Sequence, residues 1–351
     1  MILYRYLMQQ FLQSMLSISG VLLLVLLGSQ ATRLLSRAIA EQQSAEGVLL
    51  LLLFSIPELL IDILPAALML SGILVVSRLH LQNEIHVMQA TGLAQNRVLM
   101  VLLALGVITA LVIWSLMLFI NPWVKQQGNE LFDRLQQTLV SNALVPGQFV
   151  QLQGQTLYLA DSNATGELAQ LVLLDEQQVM IAQSAQLLPE YEQGIGMLLQ
   201  NGQQLQELSS FPAVTLTHFQ QLSLSLLPST TTARDHISYH DLSLIRANWS
   251  QHRYQAELHR RLSFPLIAIV IPWLIFPLAY ANARSGKQAK LIPAILIFVV
   301  YVLFLDSLRR SVFRAEVAIW PGMLWVHLGF LVLSVLIWQA PNWLAKFRKA
   351  A

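Results

Sequence analysis

Cysteine is absent from the 351 residues, which removes disulfides, thiol nucleophiles and thiolate metal sites at once and leaves the compartment open. Charge is scarce. Asp, Glu, Lys and Arg make up 11% of the chain, where soluble domains carry about 25%. Apolar residues take their place, at 55% of the chain with a mean hydropathy of +0.57. That balance argues for a protein of the bilayer. Catalytic signatures are missing as well. No G-x-x-x-x-G-K-[ST] loop occurs; Ser285-Gly286-Lys287-Gln288 lacks both the first glycine and the closing hydroxyl, so ATP is not expected to bind by that route. There is no H-E-x-x-H and no G-x-S-x-G. His236 and His240 are four apart, but no carboxylate-and-histidine set completes a metal site around them. No catalytic residue, metal or cofactor is expected.

One further absence is regional. Between Arg134 and Arg234 there is no Lys or Arg, while Asp161, Glu167, Asp175, Glu176, Glu190, Glu192 and Glu207 are all acidic. A surface of that sign repels phosphate and nucleic acid, so no nucleic-acid partner is expected. Ordinary solubilising charge gives the same pattern. The alternative is a sheet that holds an apolar ligand in its interior and keeps an anionic head away.

What remains is a layout of three apolar spans, a long polar insert and three more spans. The front trio covers Phe11–Gln30, Val48–Ser77 and Val98–Ile120; the rear trio covers Leu262–Ala281, Leu291–Leu308 and Ala318–Trp338. Each supplies roughly the 20 apolar residues that a bilayer-crossing helix needs. The first apolar run exceeds the ~7–15 residues of a signal sequence and reads as a retained helix. Short-loop cations set the orientation. Arg5, Arg78, Arg97, Arg284, Lys287, Lys290, Lys346, Arg348 and Lys349 gather on one side, which predicts cytoplasmic termini and an outer insert. Arg33, Arg37, Arg309, Arg310 and Arg314 run against this rule on the other side.

The fold expected is α+β: six transmembrane helices with a jelly-roll-like β domain inserted between the third and fourth. Its parts are residues 1–122 with a docking helix near 80–92, the β domain at 123–235, and a connecting helix with the last three spans at 236–351. In the insert, Phe149–Gln153 and Thr156–Leu159 flank a Gly154-Gln155 turn, and Val179–Gln186 and Met197–Gln200 follow. Asn201-Gly202 is a hairpin signal before Gln203–Leu208, and Val214–Leu226 alternates again. Lys125–Val140 suits a helix. Ser238 and Asp241 suggest a helix start, with Leu242, Ile245, Trp249 and Ala256 on its apolar side and Glu257 able to pair with Arg261.

Three groups of ionisable residues stand out. Glu84 borders an apolar stripe of Leu81, Ile85 and Met88, before a Gly92 stop; this is a docking helix, or one that lies at the lipid interface. Glu58 and Asp62 share a face of the second span between Pro57 and Pro65, as a proton relay or as structural groups. Arg33 with Arg37, and Arg309 with Arg310 and Arg314 beside Asp306, form two clusters suited to lipid phosphates, because the guanidinium fork matches phosphate oxygens. General headgroup contact is the other reading.

The whole chain resembles the transmembrane subunits of the lipopolysaccharide export ABC transporter of Gram-negative bacteria, most like the F subunit. The stretches that carry this are Ile2-Leu3-Tyr4-Arg5-Tyr6-Leu7, Pro57-Glu58 with Leu64-Pro65, Glu84-Ile85 with Val87-Met88 and Thr91-Gly92-Leu93, Pro146-Gly147-Gln148-Phe149, and Ala256-Glu257-Leu258-His259-Arg260-Arg261. Asp62 departs from the family's apolar pattern. The resemblance implies an inner-membrane permease with a periplasmic β domain. It implies four partners: a paralogous G-type subunit, a dimeric cytoplasmic ATPase, a bitopic C-type subunit with its own jelly roll, and lipopolysaccharide drawn from the outer leaflet toward a periplasmic bridge. It implies that Glu84 couples to the ATPase and that Arg33 contacts substrate phosphates. For Arg309, Arg310 and Arg314 it extends to the region alone. Two rivals remain at this level, a mechanotransmitting ABC subunit that pulls on a periplasmic partner and a membrane-anchored hydrolase. The first usually has four spans, and no nucleophile–base set supports the second.

Overall fold

A computed structural model describes residues 2–40, 45–90, 96–131, 146–152, 155–162, 167–175, 178–191, 194–207, 214–227, 242–280, 287–317 and 323–350. The chain divides into two compact units. One comprises Met1–Arg37, Leu49–Gln126 and Ile237–Ala351; the other comprises Ala38–Val48 and Gln127–His236.

The first unit is helical. Its elements are α1 (Ile2–Ala40), α2 (Ala45–Leu81), α3 (Glu84–Ala90), α4 (Asn96–Ser115), α5 (Leu242–Ala247), α6 (His252–Ser263), α7 (Leu266–Tyr280), α8 (Lys287–Phe313) and α9 (Leu324–Ala350). Among the described residues, four stretches are long and apolar enough to cross a membrane: Ile2–Ser36, Gly47–Leu81, Asn96–Leu131 and Leu291–Phe313. The pair His252–Ser263 and Leu266–Ala279, bent by 46°, makes a fifth if it is one span. Leu324–Gln339 is apolar but shorter. α2 is the central helix: 67% of its most apolar stretch is buried, against 17% for those of α1 and α8. The outward faces of α1 and α8 carry Leu16, Leu24, Val25, Ile292, Leu296 and Phe304, all exposed. Apolar surface on that scale belongs against lipid or protein.

Prolines shape these helices. α4 continues to Leu131 through one π-helical turn, Leu116–Ile120, in which the Asn121 N–H reaches the Leu116 carbonyl. Pro122 follows. It has no N–H and its ring crowds the carbonyl four residues back, so a widened turn before it relieves the conflict. Pro265 separates α6 from α7 through a tighter turn instead, in which the Ile267 N–H donates to the Phe264 carbonyl and the Ala268 N–H to the Pro265 carbonyl, both at 3.1 Å. The helix expected to run unbroken from residue 242 into the fourth span is therefore three pieces, α5, α6 and α7. Trp249, assigned to its apolar side, lies in the turn between α5 and α6 and is exposed. Ser238 and Asp241 lie outside the described residues.

Packing is tightest where side chains are smallest. A Cβ on Gly106 of α4 would run into the Ala268 carbonyl oxygen of α7 and lie 2.9 Å from Pro272 Cγ. The missing methyl is what lets the two backbones approach, as small residues do between membrane helices. A buried polar clasp joins three further elements. His327 of α9 bonds through Nε2 to Ser263 Oγ of α6 at 2.6 Å and through Nδ1 to the Tyr301 hydroxyl of α8. Tyr301 also stacks on Phe330, with centroids 4.1 Å apart. Either hydroxyl can donate or accept, so both ring nitrogens are satisfied in either tautomer.

The second unit holds a single antiparallel sheet of β1 (Phe149–Leu152), β2 (Gln155–Ser162), β3 (Glu167–Leu174), β4 (Gln178–Tyr191), β5 (Gly194–Glu207) and β6 (Val214–Leu227), paired in chain order. Leu157, Leu159, Leu171, Leu173, Met180, Met197 and Leu199 are buried and pack as one apolar cluster. β3 is a strand that pattern reading did not assign, because Leu171-Val172-Leu173-Leu174 is a continuous apolar run rather than an alternating one.

Asn201-Gly202 is not a hairpin turn. β5 runs straight through it, with Gly202 opposite Ala182 on one side and Phe219 on the other. A Cβ on Gly202 would meet the Phe219 ring and lie 2.6 Å from the Ile181 carbonyl oxygen. The glycine makes room for the aromatic ring that covers it, and Asn201 takes a left-handed φ of 50° beside it. Tertiary packing overrides local turn chemistry here. The Gly154 turn and residues 132–140 of the expected Lys125–Val140 helix lie outside the described residues.

Candidate functional site

Two sets of charged side chains in the helical unit bear on function. The first surrounds Glu84. α2 ends at Leu81, and Asn83 adopts φ 58°, the left-handed conformation that closes a helix. Backbone bonds from Gln82 N to Arg78 O (2.9 Å) and Asn83 N to His80 O (3.1 Å) complete the turn. Glu84 then opens α3, in the first turn, where the helix dipole favours a carboxylate. Ile85 is buried beside it, and Met88 packs partly on the main core. Leu81, expected on the same face, belongs instead to the end of α2 and is exposed; the break at Asn83 rotates it away. Gly92 lies outside the described residues. Glu84 has a partner from a distant segment: the Tyr6 hydroxyl of α1 donates to its Oε2 at 3.2 Å.

The second set lies around a recess of roughly 150 Å³, with Asp62 from α2, Arg260 and Phe264 from α6 and its bend, and Leu305, Asp306 and Arg309 from α8 among its lining. α6 supplies its most tightly held charges. The Glu257 side chain is 3% exposed and that of Arg261 is 1% exposed. Glu257 Oε1 accepts from Arg260 Nη2 at 2.8 Å and from Arg261 Nε at 2.9 Å, while its Oε2 accepts from Arg260 Nε at 2.9 Å. The pairing of Glu257 with Arg261 follows from their spacing; the bidentate grip of Arg260 does not. Glu58, one turn before Asp62, pairs with Lys125 at 2.8 Å.

The five arginines that the sequence singles out are placed as follows. Arg33 is exposed on α1. Arg37 lies on α1, and its side chain is outside the described residues. On α8, Asp306 Oδ2 is 2.7 Å from Arg310, and Asp306 Oδ1 is 3.8 Å from Arg309. Arg314 follows the end of α8, 3.8 Å from Glu316. The second cluster is thus three guanidiniums interleaved with two carboxylates. Among its members, Asp306 and Arg309 line the recess. Among the described residues, no group of three or more His, Asp or Glu side chains has the arrangement of a metal site.

Comparison with known proteins covers nearly the whole chain. A family model described as "Lipopolysaccharide export system permease LptF/LptG" matches residues 5–340. The lipopolysaccharide export system permease protein LptF of Escherichia coli K12 is 25% identical over 354 aligned residues, which cover 96% of this chain and 94% of that protein. The proteins of the same name from Escherichia coli O157:H7 and Shigella flexneri align with the same identity and coverage.

Proposed function

This chain belongs to the lipopolysaccharide export system permease LptF/LptG family, and on that premise we propose that it draws lipopolysaccharide out of the outer leaflet of the bacterial inner membrane for delivery to a periplasmic bridge. The observation that carries this reading is the family match over residues 5–340. In this reading the chain spans the membrane six times, the bent α6–α7 pair and the Leu324–Gln339 stretch of α9 being the fourth and sixth spans. Both termini are cytoplasmic, and the sheet of the second unit is a periplasmic domain of jelly-roll type. Residues 1–122 form the first helical part, 123–235 the sheet domain and 236–351 the second helical part. The partners are a G-type paralogue, a dimeric cytoplasmic ATPase and a bitopic C-type subunit.

The physical problem is solvation. Taking an acyl chain from lipid into water is uphill by about 0.8 kcal/mol per methylene. A buried apolar cluster of Leu157, Leu171, Met180 and Leu199 offers those chains an alternative to water, and the absence of Lys and Arg between Arg134 and Arg234 leaves the phosphates no reason to follow them in. Arg33, with Arg37 on the same helix, and Arg309, Arg310 and Arg314 on and after α8 meet those phosphates at the outer leaflet. ATP hydrolysis takes place in the partner, and Glu84 on α3 receives the resulting motion.

Reversing the charge at the docking acid tests the reading. In the assembled transporter, Glu84→Arg is expected to lower co-purification of the ATPase and to cut ATP-driven lipopolysaccharide release more than tenfold, since a like charge facing a basic docking surface costs several kcal/mol. Wild-type assembly and turnover with that substitution would refute the docking role.

A further inference from the structure

We propose that Tyr6 is the positioning residue that ties the docking carboxylate to α1, so that movement of α3 is delivered along α1 to its far end. This rests on the reading of Glu84 as the docking acid. Three observations carry it.

The first is the hydrogen bond itself. The Tyr6 hydroxyl donates to Glu84 Oε2 at 3.2 Å across 78 residues of sequence. A neutral donor leaves the carboxylate its charge and fixes its direction, while Oε1 stays available to a partner.

The second is how the start of α1 is held. Leu7, Phe11 and Met15 recur every four residues, and all are buried in the main core. Tyr4 lies under the Arg97 guanidinium, 5.9 Å from the ring centroid. The first turns of α1 therefore touch α3 through Tyr6 and α4 through Tyr4, and the packed face beneath holds both contacts in register. Farther along, Val21, Leu24, Val25 and Leu35 are exposed. Packing on the main core continues along the helix through Ile18, Leu22 and Leu23.

The third is length. α1 is one uninterrupted helix from Ile2 to Ala40, with no proline in it. From Tyr6 to Arg33 it spans about 40 Å at ~1.5 Å per residue, the full thickness of a bilayer with its headgroups. A helix is stiff over that distance, so a displacement of Tyr6 reaches Arg33 without a hinge to absorb it. Tyr6 and Glu84 thus form the near end of a lever whose far end carries a phosphate-binding arginine.

The test uses the complete transporter in proteoliposomes, with Tyr6→Phe, Glu84→Ala, which removes the acceptor, and the double variant. The readout is lipopolysaccharide released per ATP hydrolysed. Tyr6→Phe keeps the ring and removes only the donor. It is expected to retain assembly and lower the ratio about fivefold, the scale of a partly solvated bond to a carboxylate. The double variant is expected to fall no further than the lower single variant, because the two act through one bond. An unchanged ratio in Tyr6→Phe, or single effects that multiply in the double variant, would overturn the proposal. Loss of assembly in Tyr6→Phe would also overturn it, by showing a structural role. Failure of the docking reading looks different: Glu84→Arg then assembles and turns over as wild type, whatever Tyr6→Phe does.

Discussion

Glu257→Ala is expected to destabilise the folded protein by about 3–5 kcal/mol. The carboxylate sits between Arg260 and Arg261, and the Arg261 side chain is 1% exposed. Removing it takes from a buried guanidinium the charge that compensates it. Breaking a buried pair in this way costs about 3–5 kcal/mol, a large part of the ~5–15 kcal/mol that holds a domain together. In detergent, the thermal midpoint should fall by about 10 °C, or the protein should elute as aggregate. The double replacement Glu257→Leu with Arg261→Met removes the deepest charge and its partner but leaves Arg260 without its carboxylate, so it should regain part of the loss, since a well-packed apolar pair substitutes for a buried ion pair at little cost. A Glu257→Ala protein that melts with the parent would show that the ion trio contributes nothing.

The second large effect is expected at Gly106. A methyl group there meets the backbone carbonyl of Ala268 and the ring of Pro272, and neither can rotate aside. Helices α4 and α7 must separate, so Gly106→Ala should cost about 1–3 kcal/mol and Gly106→Leu should cost more. Gly72 on α2 is the control. Its nearest neighbour is the Cδ1 methyl of Ile275, the end of a side chain that can change rotamer, so Gly72→Ala should be milder. Melting curves of the two alanine variants decide the point, and equal losses would contradict it.

Residue pattern exposes some of this architecture and hides the rest for definite reasons. The long helices are legible because an apolar run of membrane length is a property of composition. Their bends are not: Pro265 and Pro122 announce a disturbance but not its form. Most strands show in period 2, yet β3 hides in an unbroken apolar run, and Asn201-Gly202 reads as a turn until Phe219 is seen folded over the glycine. Charge pairs divide by sequence distance. Glu257 with Arg261, and Asp306 with its following arginines, are one helical turn apart and can be foreseen. Glu58 with Lys125 and Tyr6 with Glu84 are 67 and 78 residues apart, and only the packed helices bring them together.

In the function proposed above, the sheet and the docking helix are exposed on opposite sides of one bilayer. The chain has no cysteine, so a single introduced thiol reports its own location. Gln203→Cys on β5 and Gln89→Cys on α3 are both exposed positions. A membrane-impermeant maleimide added to spheroplasts should label Gln203→Cys at once and Gln89→Cys only after the membrane is opened. Labelling of both from the same side would contradict the account.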